Sequence, residues 1–266
     1  MRLQEAADLL GVHYQTAYGW VRGGQLPARK IRRGYEVSEA DVRALAAARE
    51  LGRQPATAIR VRDWTAQADR LYDAIVSGQE TAARRAVERL AGHVTITDLC
   101  DRVIAPALRR VGDQWAAGEV SIAVEHRATA ICERLISAHA SQPAGRPRGV
   151  AVVATPPGER HGMSALMAAT SLREHHWQVH HLSADLPAAE IAMLAKTVGA
   201  SLVVLSTATT AGAGHAAEAA RAVRAAAPHV TVLIGRPGDT LAELIRLAED
   251  PNPQPVPRKV TGIPGL

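Results

Sequence analysis

The chain has 266 residues, 47% of them hydrophobic, and a formal net charge of +5. This length allows two or three domains with a substantial buried core. No apolar run reaches the roughly 18 residues of a membrane span and the N-terminus lacks the apolar core of a signal peptide, which predicts a cytoplasmic protein without a membrane partner. The two cysteines, Cys100 and Cys132, are therefore expected to be reduced core residues.

The positive charge is concentrated near the N-terminus. Residues 1–62 hold 11 Lys and Arg against 6 Asp and Glu, whereas the rest of the chain holds 20 of each kind. An excess of positive charge confined to one part of a chain is expected where that part alone faces a polyanion such as DNA.

The first sixty residues have the pattern of a small DNA-binding domain. A helical apolar face around Leu3 stops at Gly11, a second helix around Trp20 follows, and a basic hairpin precedes a third helix that begins near Ser38. The hairpin could be only a solvated surface. The order of these elements, however, resembles the winged helix-turn-helix of the MerR family.

This resemblance implies that the second helix enters the major groove of double-stranded promoter DNA, while the hairpin contacts phosphates or the minor groove. The residues so assigned are Tyr14, Gln15, Thr16, Tyr18 and Arg22 on the helix, and Arg29, Lys30, Arg32, Arg33 and Tyr35 on the hairpin.

The middle of the chain predicts a four-helix bundle. Glycines separate amphipathic patterns over residues 63–77, 79–92, 95–117 and 121–140. Pro106 falls inside the third pattern and is expected to bend that helix or to mark its start.

A tryptophan in the third of these helices is followed at a fixed spacing by two polar residues. Nine residues separate Trp115 from Glu125 and His126. Without context, Trp115 could be a core residue and the other two could be solvated. The spacing resembles the Trp-x9-Glu-His signature of the helical cap over cobalamin in CarH-like MerR photoreceptors. That resemblance implies that Trp115 contacts the upper axial group, with Glu125 and His126 hydrogen bonding near it.

The remaining part alternates strands with helices. Strands are predicted over 149–154, 177–182, 201–206 and 229–234, and helices over 161–174, 187–198, 211–226 and 239–249. Such alternation predicts a flavodoxin-like, doubly wound parallel sheet.

His161 lies in the loop after the first of these strands, at the edge where such sheets bind ligands. Taken alone, the loop could be a simple βα turn in which His161 caps the helix. Because this part of the chain follows the predicted cap, it resembles the cobalamin-binding domain in which a histidine is the lower axial ligand of cobalt. The resemblance implies that Glu159 orients His161, that Ser206 meets the buried nucleotide tail, and that Gly235 leaves room for that tail.

Four positions differ from the family pattern. Ser164 and Arg236 replace glycines, Ala208 replaces a leucine, and Ala116 replaces a histidine that captures cobalt in some light sensors of the family. These differences leave open another tetrapyrrole, or no cofactor at all.

The sequence therefore predicts a multidomain α and α/β protein. Its parts are a winged helix-turn-helix domain (1–58), a four-helix-bundle cap (59–142), a flavodoxin-like cobalamin-binding domain (149–250) and a Pro-rich tail (251–266).

The expected function is that of a transcriptional regulator, and a repressor is expected rather than an activator. A corrinoid would control its DNA affinity and its homodimeric or homotetrameric state, with adenosylcobalamin as the expected cofactor and light as the signal. A corrinoid methyl-carrier protein is the alternative from another class. The basic N-terminal domain argues against it, and the sequence shows no catalytic constellation, so no enzymatic activity is expected.

Overall fold

The computed structural model describes residues 1–10, 17–18, 20–21, 26–31, 34–45, 63–140, 145–208 and 212–250. The chain divides into two compact units, Met1–Arg60 and Val61–Leu266. The predicted Pro-rich tail, residues 251–266, lies outside the described residues. Among the described residues, no helix is both long and apolar enough to cross a membrane.

The first unit contains helices and one antiparallel hairpin. Helix α1 spans Leu3–Leu9, and strands β1 (Ala28–Ile31) and β2 (Gly34–Val37) pair with Ile31 opposite Gly34. Residues 17–18, 20–21 and 39–45 are also helical. Gly34 has a φ of +115°, which suits glycine and turns the hairpin. The core of this unit includes Leu3, Leu26, Val37 and Val42.

The second unit begins with the predicted bundle, whose helices start at side-chain caps. Asp63, Thr95 and Ser121 each accept a hydrogen bond from a backbone amide three residues ahead, as N-cap residues do. The helices are α2 (Trp64–Val76), α3 (Glu80–Ala91), α4 (Ile96–Leu99), α5 (Ala105–Ala116) and α6 (Ile122–Ser137).

The third predicted helix, residues 95–117, is not one regular helix. A π-helical turn, Cys100–Ile104, joins α4 to α5, and Pro106 occupies the first turn of α5. Proline has no N–H to donate, and its ring clashes with the carbonyl four residues earlier, so the wider π turn accommodates it without ending the bundle segment.

The α/β part contains the predicted alternation of strands and helices. The elements are β3 (Val150–Ala154), α7 (Met163–Glu174), β4 (Gln178–His181), α8 (Ala188–Thr197), β5 (Leu202–Ser206), α9 (Gly212–Ala226), β6 (Thr231–Gly235) and α10 (Leu241–Glu249). The strands form the predicted parallel sheet, in the order β4-β3-β5-β6. Helices α7 and α10 cover one face, where Leu172 and Ile245 are buried, and α8 and α9 cover the other, where Ile191 and Val223 are buried. The predicted α and α/β fold class is confirmed.

The bundle packs on the α7 and α10 layer, and two carboxylates cross this junction. Glu174, the last residue of α7, accepts hydrogen bonds from the first amides of α4, of which Ile96 N is 2.7 Å away. Asp101, in the π turn, accepts from Leu241 N at 2.9 Å and Ala242 N at 3.0 Å. Each carboxylate thus caps a helix of the other part, where the helix dipole favours negative charge.

Candidate functional site

The carboxyl edge of the parallel sheet holds the candidate site. Strands β3 and β5 are neighbours. The helix that follows β3 packs on one face of the sheet, and the helix that follows β5 packs on the other. The chain therefore leaves these two strand ends toward opposite faces of the sheet. In doubly wound sheets such a switch point opens a crevice for ligands.

The loop after β3 begins with a tight turn. Glu159 N donates to the Pro156 carbonyl at 3.1 Å, and Gly158 between them has a φ of +79°. Pro157 followed by a glycine in the left-handed region is the pattern of a type II turn. The turn brings Glu159 back toward the strand end, where only 1% of its surface is exposed.

Glu159 and His161 form the central interaction of the site. Glu159 Oε1 lies 2.6 Å from His161 Nδ1 and also accepts from the His161 backbone N–H at 3.0 Å. A carboxylate only accepts, so Nδ1 carries the shared proton, and a neutral ring keeps an unprotonated Nε2. The His161 side chain is 67% exposed. The geometry therefore presents a fixed imidazole with its other nitrogen available.

The same carboxylate reaches the loop after β5. Ala208 N donates to Glu159 Oε2 at 3.0 Å, so Glu159 joins the two strand ends that border the crevice. The contact uses the Ala208 backbone, and a different side chain at that position leaves it intact. A Cβ on Gly212, at the start of α9, would lie only 3.3 Å from Glu159 Oε2, so this close approach favours glycine.

The hydroxyl groups near the crevice are paired. Ser206 Oγ, at the end of β5, donates to Ser164 Oγ at 2.9 Å, so the serine that replaces a family glycine contacts the predicted Ser206 directly. The Gly235 carbonyl accepts from Thr207 Oγ1 at 2.8 Å, which ties β6 to β5. Arg236 is exposed, and its backbone N–H donates to Asp239 Oδ2 at 2.9 Å.

The bundle contributes an exposed apolar corner between α5 and α6. Trp115 is 48% exposed and Ile122 is 57% exposed, although both are large hydrophobic residues. Glu125 Oε2 lies 2.5 Å from His126 Nδ1, and Glu125 Oε1 accepts from Thr129 Oγ1 at 2.9 Å.

The predicted cofactor-binding residues form two groups, one around His161 and one around Trp115. Among the described residues, no hydrogen bond or ion pair joins His161 to Trp115, Glu125 or His126. The two groups belong to packed elements, because α6 contacts α7 and Met163, two residues after His161, packs against the bundle core.

The described DNA-site residues lie on the hairpin and the second helix. Tyr18, which the resemblance assigns to the DNA-contacting helix, is half-buried, and its ring packs on that of Tyr35, with 5.6 Å between the centroids. Arg29 donates to Glu36 Oε2 at 2.7 Å, and this hydrogen bond lowers the pKa of Glu36 below its ordinary value. Lys30 is exposed, and no described residue forms an ion pair with it. Outside the described residues lie Tyr14, Gln15, Thr16, Arg22, Arg32 and Arg33.

Comparison with known proteins identifies three matching domains. A helix-turn-helix domain model matches residues 1–50, and B12 binding domain models match residues 67–138 and 149–250. The HTH-type transcriptional repressor CarH of Myxococcus xanthus is 27% identical, over 77% of this chain and 78% of that protein. The chain is thus similar to CarH over most of its length and matches one helix-turn-helix and two B12 binding domain models along it. That relative is a transcriptional repressor, and the helix-turn-helix model matches the N-terminal part of this chain.

A solved structure has a similar fold. The monomethylamine corrinoid protein of Methanosarcina barkeri matches with a TM-score of 0.56 at 18% identity, over 70% of this chain and 98% of that chain. At this identity the likeness shows the fold alone.

The residues of the crevice fit a corrinoid. Imidazole nitrogen is a suitable ligand for cobalt. A carboxylate on the other ring nitrogen fixes the ring and raises its basicity, as is usual for metal-bound histidines, and Glu159 stands in that place.

Proposed function

We propose that the chain is a MerR-type transcriptional repressor of the cytoplasm whose affinity for promoter DNA is set by a bound corrinoid. The domain limits proposed are those predicted from the sequence: 1–58 for DNA binding, 59–142 for the cap and 149–250 for cofactor binding. The observation that carries the proposal is the His161–Glu159 pair at the switch point of the sheet, with Nε2 of the ring left for a metal.

His161 would hold the cobalt through Nε2, and Glu159 would keep the ring in the required tautomer. Trp115 would contact the cofactor from the bundle, with Glu125 and His126 beside it. Ser206 and Gly235 would face the nucleotide tail. Adenosylcobalamin, the proposed form, would supply a light-sensitive cobalt–carbon bond.

The proposed signal is a change in assembly. A single small winged domain contacts few base pairs and binds weakly, whereas a homodimer or homotetramer holds several such domains at high effective concentration. Any change at the Trp115 corner that alters how the bundle packs would shift the balance between assemblies, and with it the affinity for DNA.

The cofactor assignment is tested by the visible spectrum of the protein after incubation with adenosylcobalamin in the dark and removal of unbound cofactor. Retained cobalamin whose spectrum changes under green light is expected. The same experiment with His161→Ala should give a different dark spectrum, because the lower ligand is lost. His229→Ala is the control, since His229 is exposed and precedes β6 at the opposite edge of the sheet.

Three outcomes would contradict parts of this assignment. A protein that retains no chromophore would exclude cobalamin and favour another tetrapyrrole or no cofactor. An unchanged spectrum in His161→Ala would exclude His161 as the ligand. A protein that retains cobalamin but binds no DNA would instead favour a corrinoid carrier.

The DNA-binding role is tested by affinity for promoter fragments as a function of salt. The logarithm of the affinity should fall linearly with the logarithm of the salt concentration. Lys30→Ala should make that slope shallower by the contribution of about one phosphate contact. Arg43→Ala is the control, because Arg43 lies outside the hairpin and pairs with Glu39 on its own helix. Equal slopes for the two variants would contradict the role given to the hairpin.

A further inference from the structure

Two residues that belong to no motif hold the His161 loop from the side of β4. Thr155 follows β3 and is fully buried. Its Oγ1 donates to the Glu159 carbonyl at 2.7 Å and accepts from the Asp185 backbone N–H at 2.8 Å. Asp185 Oδ1 in turn accepts from Gly158 N at 2.8 Å. The loop after β4 is therefore bonded to both sides of the peptide segment that carries Glu159.

The conformation of Asp185 is specific to this arrangement. Its φ of 59° lies in the left-handed region, which aspartate and asparagine adopt more readily than most residues. Its backbone N–H also lies 3.1 Å from the Glu159 carbonyl, so that carbonyl has a second donor besides Thr155. The conformation allows the Asp185 backbone and carboxylate to bind the same turn at once.

These contacts determine where the Glu159 carboxylate can reach. The main-chain carbonyl is fixed by Thr155, and one carboxylate oxygen is fixed by Ala208 N. The other oxygen is then directed to His161 Nδ1. Because most of the His161 ring is exposed, little else restrains it, and loss of one fixed point lets the carboxylate and the ring separate.

We propose that Thr155 and Asp185 are positioning residues for His161, which act through Glu159 to keep the neutral ring protonated on Nδ1 and its Nε2 free. The use of Nε2 as a metal ligand rests on the proposed function. The tautomer itself does not, and it can be measured in the protein without cofactor.

The test compares Thr155→Val with Thr155→Ser by ¹⁵N chemical shifts of the His161 ring at mildly alkaline pH. Valine is close to threonine in shape but has no hydroxyl, whereas serine keeps one. Wild type and Thr155→Ser should favour the Nδ1–H tautomer by about tenfold or more, and Thr155→Val should reduce that ratio by about five- to tenfold. Circular dichroism should be the same for all three, so a purely structural role would not produce the change.

A wild-type tautomer ratio in folded Thr155→Val would overturn the proposal. Where that variant does not fold, Asp185→Ala and Asp185→Asn decide, because asparagine keeps both the left-handed preference and an acceptor for Gly158 N. The proposal requires the alanine variant to lose the Nδ1–H preference and the asparagine variant to keep it; equal ratios overturn it. Failure of the wild-type protein to retain cobalamin would instead refute the proposed function and leave the measured tautomer ratio unaffected.

Discussion

The reciprocal caps between the bundle and the α/β part yield a quantitative prediction for Asp101→Asn. Asparagine has the same shape as aspartate but one acceptor oxygen in place of two and no charge. It can therefore keep only one of the bonds to Leu241 N and Ala242 N. It also loses the favourable interaction of a negative charge with the start of α10.

The expected loss is modest because α10 has a second cap. Thr240 Oγ1 accepts from Glu243 N at 3.1 Å, so the helix still begins at Thr240 when Asp101 is changed. The amide of Ala242 is at the surface and can bond to water, whereas that of Leu241 is partly buried. A lost cap interaction of this kind costs about 1 kcal/mol, and about 2 kcal/mol when all acceptors are removed in Asp101→Ala.

Hydrogen exchange of the first amides of α10 measures this loss directly. A cost of about 1–2 kcal/mol corresponds to exchange that is roughly 5- to 30-fold faster. Glu243→Gln is the matched control, because Glu243 lies in the first turn of the same helix and its ion pair, at 4.0 Å, is with Arg246 of that helix. It removes the same charge from the helix start without touching the bundle.

Equal exchange rates at Leu241 and Ala242 in Asp101→Asn and Glu243→Gln would refute this reasoning. That result would mean that the helix dipole, which both substitutions affect, accounts for the whole effect. The bonds across the junction would then contribute nothing measurable.

Two further predictions concern the bundle. Burial raises the pKa of the Cys100 and Cys132 thiols from about 9 to about 12, so iodoacetamide at neutral pH should label neither until the protein unfolds. The folded state retains these protons above pH 9, so the unfolding free energy should fall by about 1.4 kcal/mol per pH unit per thiol; constant stability there would contradict this. Gly78→Ala should lower the unfolding free energy by about 1–2 kcal/mol, because Gly78 has a φ of +72° and the new Cβ would lie 2.8 Å from Arg127 Cζ. Gly92→Ala should be nearly neutral in the same denaturation experiment, since nothing lies within 4 Å of its added Cβ. Equal losses of unfolding free energy in the two variants would exclude the explanation from the backbone conformation and surroundings of Gly78.

The local pattern of strand and turn residues predicted that His161 lies in the loop at the edge of the sheet. Its pairing with Glu159 was implied by the family resemblance, and the structure joins the two side chains at 2.6 Å. The alternation of strands and helices likewise predicted the order in which the elements occur. Such signals depend on local periodicity and turn chemistry, which a single sequence contains.

Contacts between distant segments were not predictable in the same way. The sequence around Asp101 predicted a regular helix, but Asp101 lies in a π turn and its carboxylate accepts a hydrogen bond from Leu241 N, 140 residues along the chain. Tyr18 was assigned to DNA contact from the helix pattern, and its packing on Tyr35 of the hairpin could not be predicted from that pattern. Thr155 and Asp185 belong to different loops, and only the pairing of β3 with β4 brings them together.

Helix α7 links the candidate site to the bundle. It begins two residues after His161, contributes Met167 to the bundle core, and ends at Glu174, which caps α4. A rigid element that contacts both sites is a physical route by which one can influence the other, provided that occupation of the first site alters the second.

This link predicts that cobalamin slows hydrogen exchange at two amides of the junction. Leu241 N and Ile96 N should both be protected by about fivefold or more when the cofactor orders the bundle against the α/β part. Glu174→Gln weakens only the cap on α4, because Leu241 is held by Asp101. In that variant cobalamin should still protect Leu241 but protect Ile96 much less. If cobalamin binds and protects Ile96 equally in both proteins, the coupling does not pass through the end of α7.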